Sequence, residues 1–151
     1  MPSIYLLAAL LAWTGQEGGP NAFVDALYAH YATADAPPRE DSDVFTPEIT
    51  MLFARLEALA GPDEVVREGD DICLCQDWEG LRLIERDVRP AGPDRAEADV
   101  RFVNFGEENR LHLSLERTTQ GWRVRDIRNR YPDDPGLLAS LRADIADAQH
   151  R

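Results

Sequence analysis

Residues 96–127, AEADVRFVNFGEENRLHLSLERTTQGWRVRDI, decide the fold of this chain. Apolar and polar side chains alternate through Ala96–Phe102, Leu111–Leu115 and Trp122–Val124, and short polar turns separate the three runs. Alternation with a period of two predicts strands that place one face on a core and the other in water. The stretch is therefore predicted to form three strands of an antiparallel meander.

A fourth strand precedes these three. Leu81–Arg89 has strand character, but its alternation slips between Leu83 and Ile84, which predicts a β-bulge at that point. The meander is expected to run from about Leu81 to Tyr131.

Helical patterns flank the meander on both sides. A first helix is predicted over Asn21–Ala34 with Asn21 as its N-cap, and a second from Thr46-Pro47 to a stop at Gly61-Pro62, with a loop at 35–43 between them. A last helix is predicted after Asp133–Gly136, with an aspartate at its cap. This order predicts a single α+β domain over residues 20–151, with N-terminal helices packed on a curved, cone-like four-stranded antiparallel meander and a C-terminal helix.

The N-terminus is predicted to be a signal peptide followed by a flexible linker, residues 1–19. Ile4–Trp13 is an unbroken apolar run, too short to cross about 30 Å of hydrocarbon but of the length found in secretory signals. No Arg or Lys precedes it, so the alternative is a buried first element of a cytoplasmic protein. We expect a periplasmic or secreted protein with no membrane span in its mature form.

The charge balance limits the partners. The chain has 28 acidic and 16 basic residues, a net charge of -12, so phosphate backbones and anionic lipids would repel it and no nucleic-acid partner is expected. Every basic residue is arginine, which excludes a Schiff-base lysine, a phosphate-loop lysine and a lysine general base.

The two cysteines, Cys73 and Cys75, are separated by one residue. In an extended segment their Cα atoms would lie about 6.6 Å apart, at the upper limit for a disulfide. Two interpretations stay open: a strained, reducible bridge in an exported protein, or two small apolar core residues. With three scattered histidines as the only other soft ligands, no metal site and no cofactor are predicted.

The segment around the cysteines is the first candidate site. Asp71, Gln76, Asp77 and Trp78 lie beside the Ile-Cys-Leu-Cys stretch, where the helices give way to the sheet. These side chains are predicted to rim a pocket, and the carboxylates would serve there as bases or cation ligands. The alternative is an acidic loop whose aspartates cap backbone N–H groups.

Asp126 is the second candidate. It falls in phase with Trp122 and Val124, which would point it into the cone near Tyr28 or Tyr31 of the first helix, as a proton shuttle beside a hydrogen-bond donor. The apolar Ile127 is out of phase, however, so a bulge would turn Asp126 outward.

The chain resembles the nuclear transport factor 2-like superfamily, and within it a family of small exported bacterial proteins of unknown function. A cystatin-like arrangement has the same elements. The resemblance covers about residues 20–146 and rests on the following motifs: Phe23-x-x-x-Leu27-Tyr28, Thr46-Pro47-Glu48-Ile49-x-x-Leu52, Asp70-Asp71-Ile72-x-x-x-Gln76-Asp77, Ala98-x-Val100-x-Phe102 and Gly121-Trp122-x-Val124-x-Asp126-Ile127. That superfamily holds isomerases, cyclases and non-catalytic binding or dimerisation modules, so the resemblance implies a fold and leaves the activity open.

Two functions are therefore expected. The first is a non-enzymatic exported binding domain with no catalytic residues, which engages a protein partner, a second copy of itself or a small ligand in the cell envelope. The alternative is an isomerase- or cyclase-type enzyme that uses Asp126 or Asp77 as general base.

Overall fold

The computed structural model describes residues 18–129 and 132–151. Most of the predicted signal peptide and the predicted end of the meander at Tyr131 lie outside these residues. The elements in chain order are α1 (Pro20–Ala29), a 3-10 turn (His30–Ala32), α2 (Asp41–Val44), α3 (Pro47–Leu59), β1 (Arg82–Pro90), β2 (Arg95–Asn104), β3 (Glu107–Thr118), β4 (Gly121–Asn129) and α4 (Leu137–Gln149). The predicted α+β class, with helices before a four-stranded antiparallel sheet and one helix after it, is confirmed.

The sheet is a meander in the order β1-β2-β3-β4, and all its neighbours are antiparallel. The predicted bulge in β1 is present, because Leu83 pairs with Phe102 and Glu85 with Arg101, which leaves Ile84 without a partner in the register. A second irregularity lies in β4 at Arg125. Bulges increase the local twist, so they account for part of the curvature of the sheet.

The inner face of the sheet forms the core. Alternate residues of β2 and β3 are almost fully excluded from solvent, and α1 and α3 supply the opposing side chains. Burial of such side chains is the main stabilising contribution in a domain of this size. The largest fully buried members include Phe53, Phe102, Leu111, Leu113, Leu115 and Val124.

The first helix differs from the prediction at both ends. Gly19 occupies the N-cap position and Pro20 the first turn, while the Asn21 side chain accepts a hydrogen bond from Arg86 at 2.6 Å. The α-helix ends at Ala29 because the chain tightens into the 3-10 turn and then becomes extended at Thr33.

Two other boundaries differ from the prediction. The second helix, α3, lies where the sequence predicts it, but the predicted loop at 35–43 gives way at Asp41 to the short helix α2. In the last helix the N-cap is Gly136, with φ 91°, rather than an aspartate. Asp134 instead lies just before the cap, where its carboxylate accepts the Gly136 N–H at 2.9 Å.

Candidate functional site

A closed loop joins the helices to the sheet, and we name residues 69–76 the disulfide loop. The backbone N–H of Asp70 donates to the Cys75 carbonyl at 2.8 Å, and the Cys75 N–H donates to the Asp70 carbonyl at 3.3 Å. Gly69 allows this closure, since a Cβ at that position would meet the Cys75 oxygen at 2.6 Å. The loop is therefore shut by its own backbone.

A disulfide between Cys73 and Cys75 lies inside this loop, with Cα atoms 5.1 Å apart. The extended conformation assumed from the sequence is wrong, because Leu74 between them has a positive φ of 52°, which brings the two Cα atoms closer. Cys73 is buried in the core, and Asp70 and Asp71 precede it in the chain. The disulfide thus joins the core residue Cys73 to Cys75, which packs against the same core.

Two tyrosines from the N-terminal helical segment hold the loop from below. Tyr28 donates its hydroxyl hydrogen to the Ile72 carbonyl at 3.1 Å, and Tyr31 donates to the Asp70 carboxylate at 2.6 Å. Burial and the nearby charge of Asp70 raise the pKa of both phenols, so both stay protonated donors.

Arg39 joins the same network from the segment between α1 and α2. Its guanidinium donates to the Tyr31 hydroxyl at 2.7 Å, to Asp70 at 3.3 Å and to the Leu27 carbonyl at 2.8 Å. The other Asp70 oxygen accepts the Ile72 N–H at 2.8 Å. Asp70 therefore serves as the common acceptor that fixes the loop to the helices.

Arg67 ties the loop to α2 and α3. Its guanidinium donates to both carboxylate oxygens of Asp41 at 2.9 Å and to Asp71 at 3.1 Å, and it lies over the Phe53 ring, 3.7 Å from the centroid. Burial raises the pKa of Asp71, and the charge of Arg67 opposes that rise. The Asp71 carboxylate thus has a structural partner already.

The disulfide accounts for the backbone turn at Leu74, but the contacts of the loop do not explain why the residue there is an exposed leucine. It is 47% exposed although it is a large apolar residue, and its φ of 52° lies in the left-handed region. For a residue with a Cβ that conformation costs about 1–2 kcal/mol. An exposed leucine held in a costly conformation at the tip of a fixed loop is the most unusual feature of the site.

Clefts lie on both sides of the disulfide loop. The first, of about 440 Å³, separates the loop from α3 and α4 and has an apolar floor that includes Phe53, Leu56 and Leu141. A further cleft of about 360 Å³ shares Leu56, Val66 and Asp144 with it and extends along α3 and α4.

The cleft on the other side, of about 450 Å³, is lined by His30, Arg39, Phe45, Gln76 and Trp78 among others. Burial and the charge of Arg39 lower the pKa of His30, which keeps its imidazole neutral near pH 7.

The predicted binding residues divide between the loop and other places. Asp71 lines the cleft between the loop and α3 and α4, and Trp78 lines the cleft on the other side of the loop. Gln76 lines both of these clefts, and Tyr28 lies beneath the loop. Asp77 is exposed, and its backbone carbonyl accepts a hydrogen bond from the Asn104 side chain at 3.2 Å.

Asp126 belongs to a different part of the fold. It pairs with Ser114 after the irregularity at Arg125 in β4, so it does not share the inward face of Val124. One carboxylate oxygen accepts the N–H groups of Ile127 and Leu138, each at 3.0 Å. Its contacts are those of a buried cap for the first turn of α4.

The structure adds several residues that the sequence did not single out as a site. No sequence motif links Arg39, Arg67 and Leu74. The only local signal is the spacing of four residues between Arg67 and Asp71, which is typical of an ion pair. The positive φ of Leu74 has no sequence signature, because glycine and asparagine usually occupy that conformation.

The outer face of the sheet, which the alternation predicts to be polar, carries ion pairs. His112 lies between Glu97 at 2.7 Å and Asp99 at 3.1 Å, and Ser114 donates to the same Glu97 oxygen at 2.8 Å. Cross-strand pairs of this kind stabilise a solvated face.

Comparison with known proteins adds no relative: the chain matches no family model, no curated protein and no solved structure. Among residues 18–129 and 132–151, no helix has the length and apolar character needed to cross a membrane. The same residues contain no group of three or more His, Cys, Asp or Glu side chains arranged to hold a metal ion.

Proposed function

We propose that this protein is a non-enzymatic binding domain of an oxidising compartment and that it engages a protein partner through the disulfide loop. The observation that carries the proposal is Leu74, an exposed apolar side chain kept in a left-handed conformation on a loop that is otherwise fully tied down. Backbone strain that persists at an exposed position is a recognised pointer to function.

The fixed state of the loop supports recognition. Tyr28, Tyr31 and Arg39 hold it from one side and Arg67 from the other. A loop already held in one conformation loses little further entropy on binding, so more of the contact energy appears as affinity.

Asp126 and the two tyrosines, three of the groups that the enzyme alternative would use, support the same choice. Asp126 accepts two backbone N–H groups at the start of α4, and both tyrosines donate to the loop, so these groups are already engaged in structural contacts. The core beneath the sheet is filled by side chains such as Phe53 and Phe102.

The disulfide supports an exported location. Disulfides persist in the periplasm and outside the cell and are rare in the reducing cytosol. Export agrees with the signal peptide predicted for the N-terminal run, and intact mass measurement of the protein from its host would test it.

Native mass spectrometry of the gently isolated protein tests the binding function. We expect a stoichiometric complex with a second polypeptide in the wild type and its loss in Leu74→Asn. Met51→Asn is the matched control, because Met51 is also apolar and 66% exposed but lines a different cleft beside β4. A partner-free wild type, or a complex that survives Leu74→Asn, would refute the proposal.

A further inference from the structure

A groove along α3 and α4 lies next to Leu74 and combines apolar side chains with carboxylates. It consists of the first cleft and its extension, with Leu74 at one end and Arg151 at the other. Its floor is apolar, and its rim is predominantly acidic, with carboxylates at Glu64, Glu68, Asp70, Asp71, Asp144 and Asp147.

The arginines around the groove offset only part of this charge, and one of them, Arg39, pairs with Asp70 at 3.3 Å. Arg67 is engaged by Asp41 and Asp71, and Arg151 pairs with Glu64 at 3.0 Å. Among the described residues, neither Glu68 nor Asp144 has an ion-pair partner, and both are exposed. The groove therefore presents uncompensated negative charge above an apolar floor.

We infer that the groove takes a basic segment of the partner, with an apolar side chain of that segment seated beside Leu74. This inference rests on the proposed function and adds the chemistry of the partner. Opposite charges on the segment would complement the rim and speed association, while burial of the apolar anchor against Leu56, Leu74 and Leu141 would supply most of the affinity. An acidic segment with an apolar anchor would match the apolar floor but not the acidic rim. A basic segment without an apolar side chain would match the rim but not the floor.

A model peptide tests the inference without the natural partner. The probe is a fluorescein-labelled peptide of about 14 residues with leucine at every third or fourth position and arginine elsewhere. Two comparison peptides replace all arginines with glutamate or all leucines with serine. We expect the oxidised full-length chain to bind the Arg/Leu peptide at least about tenfold more tightly than either comparison peptide, measured by fluorescence anisotropy.

Charge variants separate the groove from the overall acidity of the protein. We expect Glu68→Gln combined with Asp144→Asn to weaken binding of the Arg/Leu peptide about fivefold at low salt. The control, Asp43→Asn combined with Glu107→Gln, removes the same charge from exposed positions outside the groove and should change affinity less than twofold. Amide chemical shifts should move at 66–76 and 137–148.

Several outcomes would overturn the inference. These are no binding of the Arg/Leu peptide below about 1 mM, equal weakening by the two double variants, or shifts spread over the outer face of the sheet. Failure of the proposed function looks different: the natural complex would then be indifferent to Leu74→Asn. A complex that needs Leu74 but tolerates the Glu68/Asp144 double variant would leave the binding function in place and exclude the basic segment.

Discussion

The meander and the disulfide loop are held by contacts of different range. In the meander each strand pairs with its neighbour in sequence, and the inner side chains of β2 and β3 form the centre of the core. The disulfide loop depends on side chains from distant parts of the chain, since Tyr28 and Ile72 are 44 residues apart and Tyr31 and Asp70 are 39 apart.

This difference separates the part of the molecule that gives stability from the part available for recognition. Within its four strands the sheet satisfies local preference, pairing and burial together, which is the condition for a well-determined fold. Its one comparable departure among the described residues is Phe105, which is 56% exposed with a φ of 50° in the turn between β2 and β3. In the loop, Leu74 has a backbone conformation that leucine disfavours, and hydrogen bonds from Tyr31, Arg39 and Arg67 hold the loop in place. Departures of this kind are expected at functional sites, where stability is sacrificed for geometry.

The largest expected effect is in the sheet. Phe102 is 0% exposed and its ring centroid lies 5.1 Å from that of Tyr28. We expect Phe102→Ala to lower the free energy of unfolding by about 3–5 kcal/mol in urea titration, because it leaves a cavity in a filled core. Phe102→Leu, which keeps most of the volume, should cost clearly less. An equal loss in both variants would indicate that the core under the loop is not closely packed.

The next effect tests the role of Asp126. Asp126→Ala should lower the unfolding free energy by about 2 kcal/mol, because two N–H groups lose their acceptor at a buried cap. Asp126→Asn keeps one acceptor oxygen and should lose less. If Asp126→Ala were as stable as the wild type, the Asp126 carboxylate would make no contribution to folding stability. The alternative that Asp126 serves as a general base would then be favoured again.

Sequence reasoning located the elements of the meander but not the anchors of the loop. Alternation is a local pattern, so the strands of residues 96–127 follow from it, and its slip within Leu81–Arg89 predicts the bulge at Ile84. The sequence predicts that Asp71, Gln76, Asp77 and Trp78 rim a pocket; Asp71, Gln76 and Trp78 line the clefts beside the loop and Asp77 does not, while a binding role for them stays a prediction. The pairing of Arg39 with Asp70 was not predictable, because it depends on how α1 packs above the sheet.

A smaller effect is expected from the disulfide. It joins residues only two apart, so it constrains little of the unfolded chain, and its loss should cost about 1–2 kcal/mol. Hydrogen exchange after reduction with a dithiol should speed up at the Cys75 amide, which bonds to Asp70, and leave the Leu113 amide in β3 unchanged. Cys73→Ser combined with Cys75→Ser is the control for incomplete reduction. Equal acceleration in loop and sheet would contradict the separation of the two regions.

The smallest expected effect concerns Leu74, and its sign matters more than its size. Asparagine tolerates the left-handed conformation better than leucine, so Leu74→Asn should raise the free energy of unfolding by about 0.5–1 kcal/mol if the exposed side chain contributes nothing to the fold. Leu74→Ala removes the same apolar surface but keeps a Cβ at a φ of 52°, so it should leave stability nearly unchanged. A gain in stability for asparagine alone, measured by thermal unfolding, would mean that the leucine carries a cost which folding does not require. A loss in both variants would mean that Leu74 packs to stabilise the loop, and the chief support for recognition at this site would be gone.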